Sequence, residues 1–359
     1  MTLTACMIVK NEEKMLQKTL PTLAKGVDEI ILVDTGSTDN TIEVAKKYGA
    51  RVFHFPWIND FAAARNESLK HANGDWIIWI DADEFIKEED WKKLRSFLGT
   101  APQHAYMLRL LECKPGESEG ASFYFRAKVF KNREGIHFER AINEQLFTKE
   151  GKIVSGDLIT GADIYHWGRM LDDDRMNKKH ERNINMLKEA IKQNDNDKYY
   201  HFLLANNLKD MGLYQEAVIE YDKTIALDKE KSLAAKAHTY RGWCLYNLKQ
   251  FKPAYLSGLE AMKIDKDEPG AYNLMGTVCL ICGMIDQAED FIKHAVGMEA
   301  PRDDTQRIFD VKQHKYQSNF LLGEVYLKKG DNSSAKQAFE LARSFDATDE
   351  VVQKLEALR

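Results

Sequence analysis

The chain changes its hydrophobic period near residue 180, and that break decides most of what it can fold into. Before it, short apolar runs alternate with amphipathic stretches. Residues 4–9 make an apolar run of the kind a strand buried on both faces needs. Residues 13–24 set Met15, Leu16, Leu20 and Leu23 on one helical face. Residues 29–33 read as a second strand, closed by Asp34-Thr35-Gly36-Ser37-Thr38-Asp39. A helix over 41–48 ends at Gly49, a third strand covers 51–55, a helix 62–71, and a fourth strand 76–80 runs into Asp81. Such alternation predicts an α/β domain with a mostly parallel sheet and helices on both faces. Ligands of such sheets bind beyond the carboxyl ends of the strands, where Asp34 and Asp81 fall. Further strands at 105–111, 122–130 and 158–166 extend the sheet and carry the acceptor side of a site.

From about Lys198 the pattern turns helical and repeats. Gly212, Tyr214, Ala217, Tyr221 and Asp228 superpose on Gly242, Phe251, Ala254, Ala261 and Asp265. Gly276, Gly283, Ala288 and Ala295 follow, then Gly323, Tyr326, Gly330, Ala335, Phe339, Ala342 and Asp346. Small residues recur where paired helices approach closely, and large apolar ones where hairpins stack. This is the ~34-residue tetratricopeptide (TPR) pattern, whose stacked arrays form concave surfaces suited to peptides or partners. The polar stretch 299–312 separates the third and fourth repeats. The expected organisation is an α/β domain over 1–175, a helical linker over 176–197, and an all-α array of about four repeats over 198–359.

Composition narrows the class. Among 359 residues, 44% are hydrophobic and 30% charged, which fits a globular protein and opposes extensive disorder. The net charge of -5 is spread without a basic block, which argues against a nucleic-acid partner. No run approaches the ~20 apolar residues of a membrane span. The apolar start at 1–9 is cut off by Lys10-Asn11-Glu12-Glu13, unlike a secretory signal, so a cytoplasmic protein is expected. Five scattered cysteines give no disulfide framework. The Cys279-x-x-Cys282 pair lacks the second ligand pair a zinc site wants, so helix packing is expected of it.

The residues that carry chemistry are carboxylates. Trp79-Ile80-Asp81-Ala82-Asp83-Glu84 runs an apolar strand into D-x-D, and side-chain alternation would set Asp81 and Asp83 on one side of its end. Alone this is a weak signal, because acidic residues after a strand often only cap the next helix. Asp34-Thr35-Gly36-Ser37 has the same plain reading as a turn. Trp57 and Trp76 are expected to pack rather than stack a sugar.

Taken together, Met7-Ile8-Val9-Lys10-Asn11-Glu12, Ile31-Leu32-Val33-Asp34-Thr35-Gly36-Ser37-Thr38-Asp39, Asp60-Phe61-Ala62-Ala63-Ala64-Arg65-Asn66 and Trp79-Ile80-Asp81-Ala82-Asp83 resemble family 2 glycosyltransferases of the GT-A fold. Within that family the chain is similar to bacterial members with C-terminal TPRs, the group of the sublancin peptide S-glycosyltransferase. The resemblance covers residues 1–190 with specific motifs and is general TPR architecture beyond. It implies that Val9, Asn11, Glu12 and Asp34 hold the uridine of a UDP-sugar, with Arg65 near the base and Asp81 near the ribose. It implies Asp83 as a ligand of Mn²⁺ or Mg²⁺, with His166 of Ile164-Tyr165-His166-Trp167-Gly168 completing the metal site. Glu144, in Phe138-Glu139-Arg140-Ala141-Ile142-Asn143-Glu144-Gln145, corresponds to the general base of an inverting transfer, and Asn143 stands where relatives usually have His. The basic stretch Lys178-Lys179-His180-Glu181-Arg182-Asn183 reads either as a solvated helix or as a group, Arg182 included, that neutralises the departing diphosphate.

The function this implies is transfer of a hexose or N-acetylhexosamine from a UDP-sugar to a peptide or protein side chain held partly by the TPRs. A cell-envelope saccharide is the alternative acceptor, and a TPR adaptor with a degenerate catalytic domain the alternative class. TPRs also mediate dimers, so a homodimer is compatible with the pattern. A sugar nucleotidyltransferase is disfavoured, since the first strand runs into Lys10-Asn11-Glu12-Glu13 with no glycine to cradle a triphosphate.

Overall fold

The computed structural model describes residues 1–113, 122–167, 173–231, 233–298 and 311–358. The described chain forms two compact units, one bearing the sheet up to Trp167 and one of helices from Asp173.

The first unit runs β1 (Leu3–Val9), α1 (Glu13–Gly26), β2 (Glu29–Asp34), α2 (Thr41–Lys47), β3 (Arg51–His54), α3 (Phe61–His71) and β4 (Trp76–Trp79). It continues through β5 (Glu84–Phe85), α4 (Glu88–Leu98), β6 (Ala105–Glu112), β7 (Ser122–Lys131), β8 (His137–Glu139), β9 (Gln145–Phe147) and β10 (Asp157–His166). Eight strands form one sheet in the order β3-β2-β1-β4-β7-β6-β10-β5, and β8 pairs with β9 apart from it. The sheet is mixed: β7 lies antiparallel between β4 and β6, and β5 antiparallel on β10. The other neighbours are parallel.

Alternation along β1 feeds both faces. Leu3, Ala5, Met7 and Val9 join a core with Leu16, Leu20 and Leu23 of α1 and Trp91, Leu94 and Leu98 of α4. Cys6 faces the other way, toward Ala62 of α3 and Phe138 and Leu146 of the β8–β9 hairpin. Trp76 is buried in the first core. Register aligns Val9 with Asp34, and Asp34 with His54, so three strand ends share one edge. Helix α4 had its signals in the sequence, an acidic first turn and apolar residues at 91, 94 and 98.

The helical unit comprises α5 (Asp173–Gln193), α6 (Lys198–Asp210), α7 (Tyr214–Leu227), α8 (Ala234–Asn247), α9 (Phe251–Ile264), α10 (Pro269–Ile281), α11 (Ile285–Gly297), α12 (Val311–Lys328), α13 (Asn332–Phe345) and α14 (Asp349–Glu356). Helices α6 to α13 pack as successive hairpins. A Cβ at Gly276 would sit 2.4 Å from Ile292, and one at Gly323 would sit 2.6 Å from Phe339. The recurring small residues are therefore where paired helices touch. Cys279 is buried as a packing residue, whereas Cys282, at the end of α10, is exposed. The polar stretch between the third and fourth repeats lies outside the described residues up to position 310. No helix among the described residues is long and apolar enough to cross a membrane.

Candidate active site

The loops after β1 and β2 are tied to each other at the shared sheet edge. Asn11 takes a left-handed backbone, φ 58°, and its N–H donates to Ser37 Oγ at 2.9 Å. Asn11 Oδ1 accepts the Thr38 N–H at 2.8 Å, and the Glu12 N–H donates to Thr41 Oγ1 at 2.8 Å. Asp34 is buried, and its carboxylate accepts the N–H groups of Gly36 and Ser37 at 3.1 Å. That turn needs φ 107° at residue 36, a conformation that favours glycine. The Val9 carbonyl closes the ladder, accepting from Thr35 N and Oγ1 at 2.9 and 3.0 Å.

The D-x-D segment differs from its expected form. β4 stops at Trp79, and Asp81 to Glu84 make a turn in which the Glu84 N–H donates to the Asp81 carbonyl at 3.0 Å. Strand alternation therefore does not order Asp81 and Asp83, and their carboxylates go to separate partners.

Asp81 Oδ1 meets Arg65 Nη2 at 2.6 Å, while Arg65 Nε meets Glu144 Oε1 at 2.6 Å. One buried guanidinium thus joins the β4 end to the β8–β9 hairpin. It lies 4.5 Å from the centre of the Trp79 ring. Burial opposes its charge, but Asp81 and Glu144 raise its pKa nonetheless. Asp81 is held well below the usual carboxylate range, since Arg65 and then Lys128 outweigh the burial that works against its ionisation. Arg65 Nη1 is buried and has no hydrogen-bond partner among the described residues.

The segment 60–66 builds this bridge. Asp60 caps α3 by accepting the Ala63 N–H at 2.8 Å. Ala62 and Ala64 are buried and small, which suits α3 to lie close on the sheet. The Phe61 N–H donates to the Ala141 carbonyl at 2.8 Å, and the Asn66 amide exchanges hydrogen bonds with the Phe138 main chain, each 2.8 Å. The hairpin carrying Glu144 is thereby fixed to α3. Asn143, at φ 52°, is left-handed, and Asn and His are both among the non-glycine residues enriched there.

His166 reaches the site through β5. That two-residue strand pairs Glu84 with His166 on β10, and the Trp167 N–H donates to the Asp83 carbonyl at 2.9 Å. His166 Nε2 lies 3.3 Å from Asp83 Oδ2, and Nδ1 lies 3.0 Å from Glu112 Oε1. Burial disfavours the charged ring, yet its hydrogen bonds to Asp83 and Glu112 carry its pKa up to about 10. No group of three or more His, Cys, Asp or Glu side chains among the described residues forms a metal site by itself. The pair still fits a divalent ion that takes only one or two protein ligands. Imidazole with carboxylate suits Mn²⁺, and a carboxylate on the far ring nitrogen is the usual support of a metal-bound His.

Arg182 lies on α5 in the helical unit, exposed, with Nη2 donating to Asn183 Oδ1 at 2.9 Å. Trp57 is half-buried, edge-on to Phe61, with Nε1 bonded to Asn59. Glu112 and Lys128 carried no signal in the sequence, while Asn66 and Glu84 stood inside the quoted motifs with no role assigned; each is made important by a distant partner.

Residues 4–156 match the profile of Glycosyl transferase family 2, and residues 316–349 match that of the Tetratricopeptide repeat. The sheet unit thus carries the match to family 2 glycosyltransferases, and the helical array that follows carries a TPR match in its last part. A TPR repeat-containing protein of Synechococcus elongatus is 38% identical over 139 residues, 39% of this chain and 34% of that protein. The SPbeta prophage-derived glycosyltransferase SunS of Bacillus subtilis is 26% identical over 235 residues, 62% of this chain and 53% of that one. The chain therefore spans between about a third and a half of the length of these curated relatives. Among solved structures, Staphylococcus aureus TarS 1–349 in complex with UDP-GlcNAc is similar at TM-score 0.41 and 15% identity, over 69% of this chain and 89% of that one, too distant to carry an argument.

Proposed function

We propose that this chain transfers a hexose or N-acetylhexosamine from a UDP-sugar to a peptide or protein side chain, with inversion and with Mn²⁺ or Mg²⁺. The observation that supports it most is the bridge by which Arg65 joins Asp81 and Glu144, inside the residues that match the family 2 profile. In this reading Val9, Asn11, Glu12 and Asp34 bind the uridine at the tied loop pair, and Asp81 meets the ribose. Asp83 and His166 would hold the metal, which supplies positive charge to the diphosphate. Glu144 takes the proton of the attacking acceptor atom. The bond from that atom to the anomeric carbon forms as the bond to the diphosphate oxygen breaks, and the electron pair leaves with UDP. Arg65 keeps Glu144 and Asp81 in fixed relation while this happens, which is how positioning lowers a barrier. The TPR repeats, by their general use in binding extended segments, support a peptide or protein acceptor.

The test is turnover of UDP-glucose, UDP-N-acetylglucosamine and UDP-galactose with and without Mn²⁺, alongside Asp83→Ala. One donor is expected to turn over in a metal-dependent way. Asp83→Ala should cost about 10²- to 10³-fold in kcat/KM, the worth of several kcal/mol of charge stabilisation, with no change in melting temperature. No turnover of any donor by the unaltered chain would sink the transferase reading. Full activity in Asp83→Ala would remove Asp83 from the mechanism.

A further inference from the structure

Beneath the turn at Asp81 the chain buries a complete ion pair. Lys128 on β7 and Glu84 on β5 have side chains 0% and 2% exposed. Lys128 Nζ donates to both Glu84 oxygens, at 2.8 and 2.7 Å, and lies 3.4 Å from the centre of the Trp79 ring. Glu84 Oε2 also accepts the main-chain N–H of Asp81 at 2.9 Å. The antiparallel insertion of β7 brings this about, because pairing of Ile78 with Val129 sets Lys128 level with Trp79.

Burying such a pair is costly. Desolvation takes several kcal/mol per ion, and a well-packed apolar pair in its place is often as stable or more so. A core that needed only volume between Trp79 and β5 would be served by leucine. What an apolar pair cannot do is accept the Asp81 N–H.

We propose that the Glu84–Lys128 pair is a positioning element of the site. Glu84 fixes the main chain at Asp81 and Lys128 neutralises the buried carboxylate that does so, so that Asp81 and Asp83 meet the donor in alignment, and the pair touches no substrate. The kinetic consequence rests on the transferase reading above; the structural consequence does not.

Three full-chain variants test it: Lys128→Met, the double variant Glu84→Gln with Lys128→Met, and Glu84→Ala. Lys128→Met strands the Glu84 charge, and kcat/KM for the UDP-sugar should fall on the order of a hundredfold. The loss should lie mainly in the donor KM, with the acceptor KM unmoved. A fault of folding alone lowers the active fraction, and so the maximal rate, at unchanged KM. In the double variant the neutral amide oxygen of residue 84 still accepts the Asp81 N–H and no charge is stranded, so the donor KM should return to within about threefold of the unaltered value. The second readout is site-resolved amide exchange at Asp81, which should quicken about tenfold in Glu84→Ala, as for one lost hydrogen bond, and stay slow in the double variant. An unchanged donor KM in folded Lys128→Met, or a double variant with the KM of a damaged site, overturns the proposal. If Lys128→Met does not fold, the double variant and the exchange decide. If the unaltered chain turns over no UDP-sugar, the transferase reading fails by itself, and unchanged Asp81 exchange in Glu84→Ala would then overturn the positioning role separately.

Discussion

The two units fill their interiors with different chemistry. The sheet unit buries Asp34, Arg65, Glu84, Lys128 and Glu144 at or beneath the edge where strands end. The helical unit packs alanines such as Ala217, Ala254, Ala288 and Ala335 against rings such as Tyr221 and Phe339. Its buried polar groups cap helices or tie them together: Asp228, paired with Lys198, accepts the N–H groups of Leu233 and Ala234 at the start of α8, at 2.6 and 2.8 Å, and Ser318 of α12 donates to Asn273 of α10 at 2.9 Å. In the sheet unit the buried charges gather at one edge and pair with one another, as Arg65 does with Asp81 and Glu144 and Lys128 with Glu84.

The strongest way to break this contrast is Arg65→Met. It leaves Asp81 and Glu144 without their shared cation, and breaking a buried pair from one side costs about 3–5 kcal/mol. Denaturant unfolding of the full chain should show the loss in the sheet unit, with donor turnover gone. Arg65→Lys should rescue little, because one ammonium cannot offer the two arms that reach Asp81 and Glu144 separately. A loss under about 1 kcal/mol would mean the cluster is solvated like a surface pair.

The contrast also explains what the sequence could show. The repeats announce themselves because helix packing imposes the same small residue at the same place, as at Gly276 and Gly323. Strands β1, β2 and β4 are legible because both faces are buried and nearly every side chain is apolar, whereas β3 is an edge strand exposed at Arg51 and His54. Of the site, the carboxylates at strand ends stand out, since ends after apolar runs are few. The partners do not. Lys128 is one of three cations in an otherwise mostly apolar strand and nothing marks it from Arg126 or Lys131, while Glu112 ends another strand. Only pairing across the sheet, set by an antiparallel β7 and a two-residue β5, makes them neighbours of Glu84 and His166. Strand direction and such short strands have no periodic signature, which is why alternation at D-x-D was expected where a turn stands.

A middle-sized test sharpens the helical side. Gly323→Ala places a methyl 2.6 Å from the Phe339 ring, buried at 0% exposure. Overpacking of this kind costs about 1–3 kcal/mol. Thermal unfolding followed by far-UV circular dichroism should show the helical transition move down, while donor KM stays put. A shift in donor KM would mean that the two units do not keep their roles apart.

The smallest expected effect compares one device in both units. Asp60 caps α3 by accepting the Ala63 N–H at 2.8 Å, and Asp331 caps α13 by accepting the Ser334 N–H at 3.0 Å. Either change to alanine should cost about 1 kcal/mol of stability, since each removes one side-chain acceptor from an orphan donor. Function should separate them. Asp60 begins the helix whose next turn carries Arg65 and Asn66, so loosening it disturbs both the bridge to Asp81 and the grip on the Glu144 hairpin. Asp60→Ala should therefore raise the donor KM several-fold, whereas Asp331→Ala should leave it alone. If both are kinetically silent at equal stability cost, then α3 is held by its charges rather than by its cap, and the buried bridge at Arg65 is stiffer than the helix that carries it.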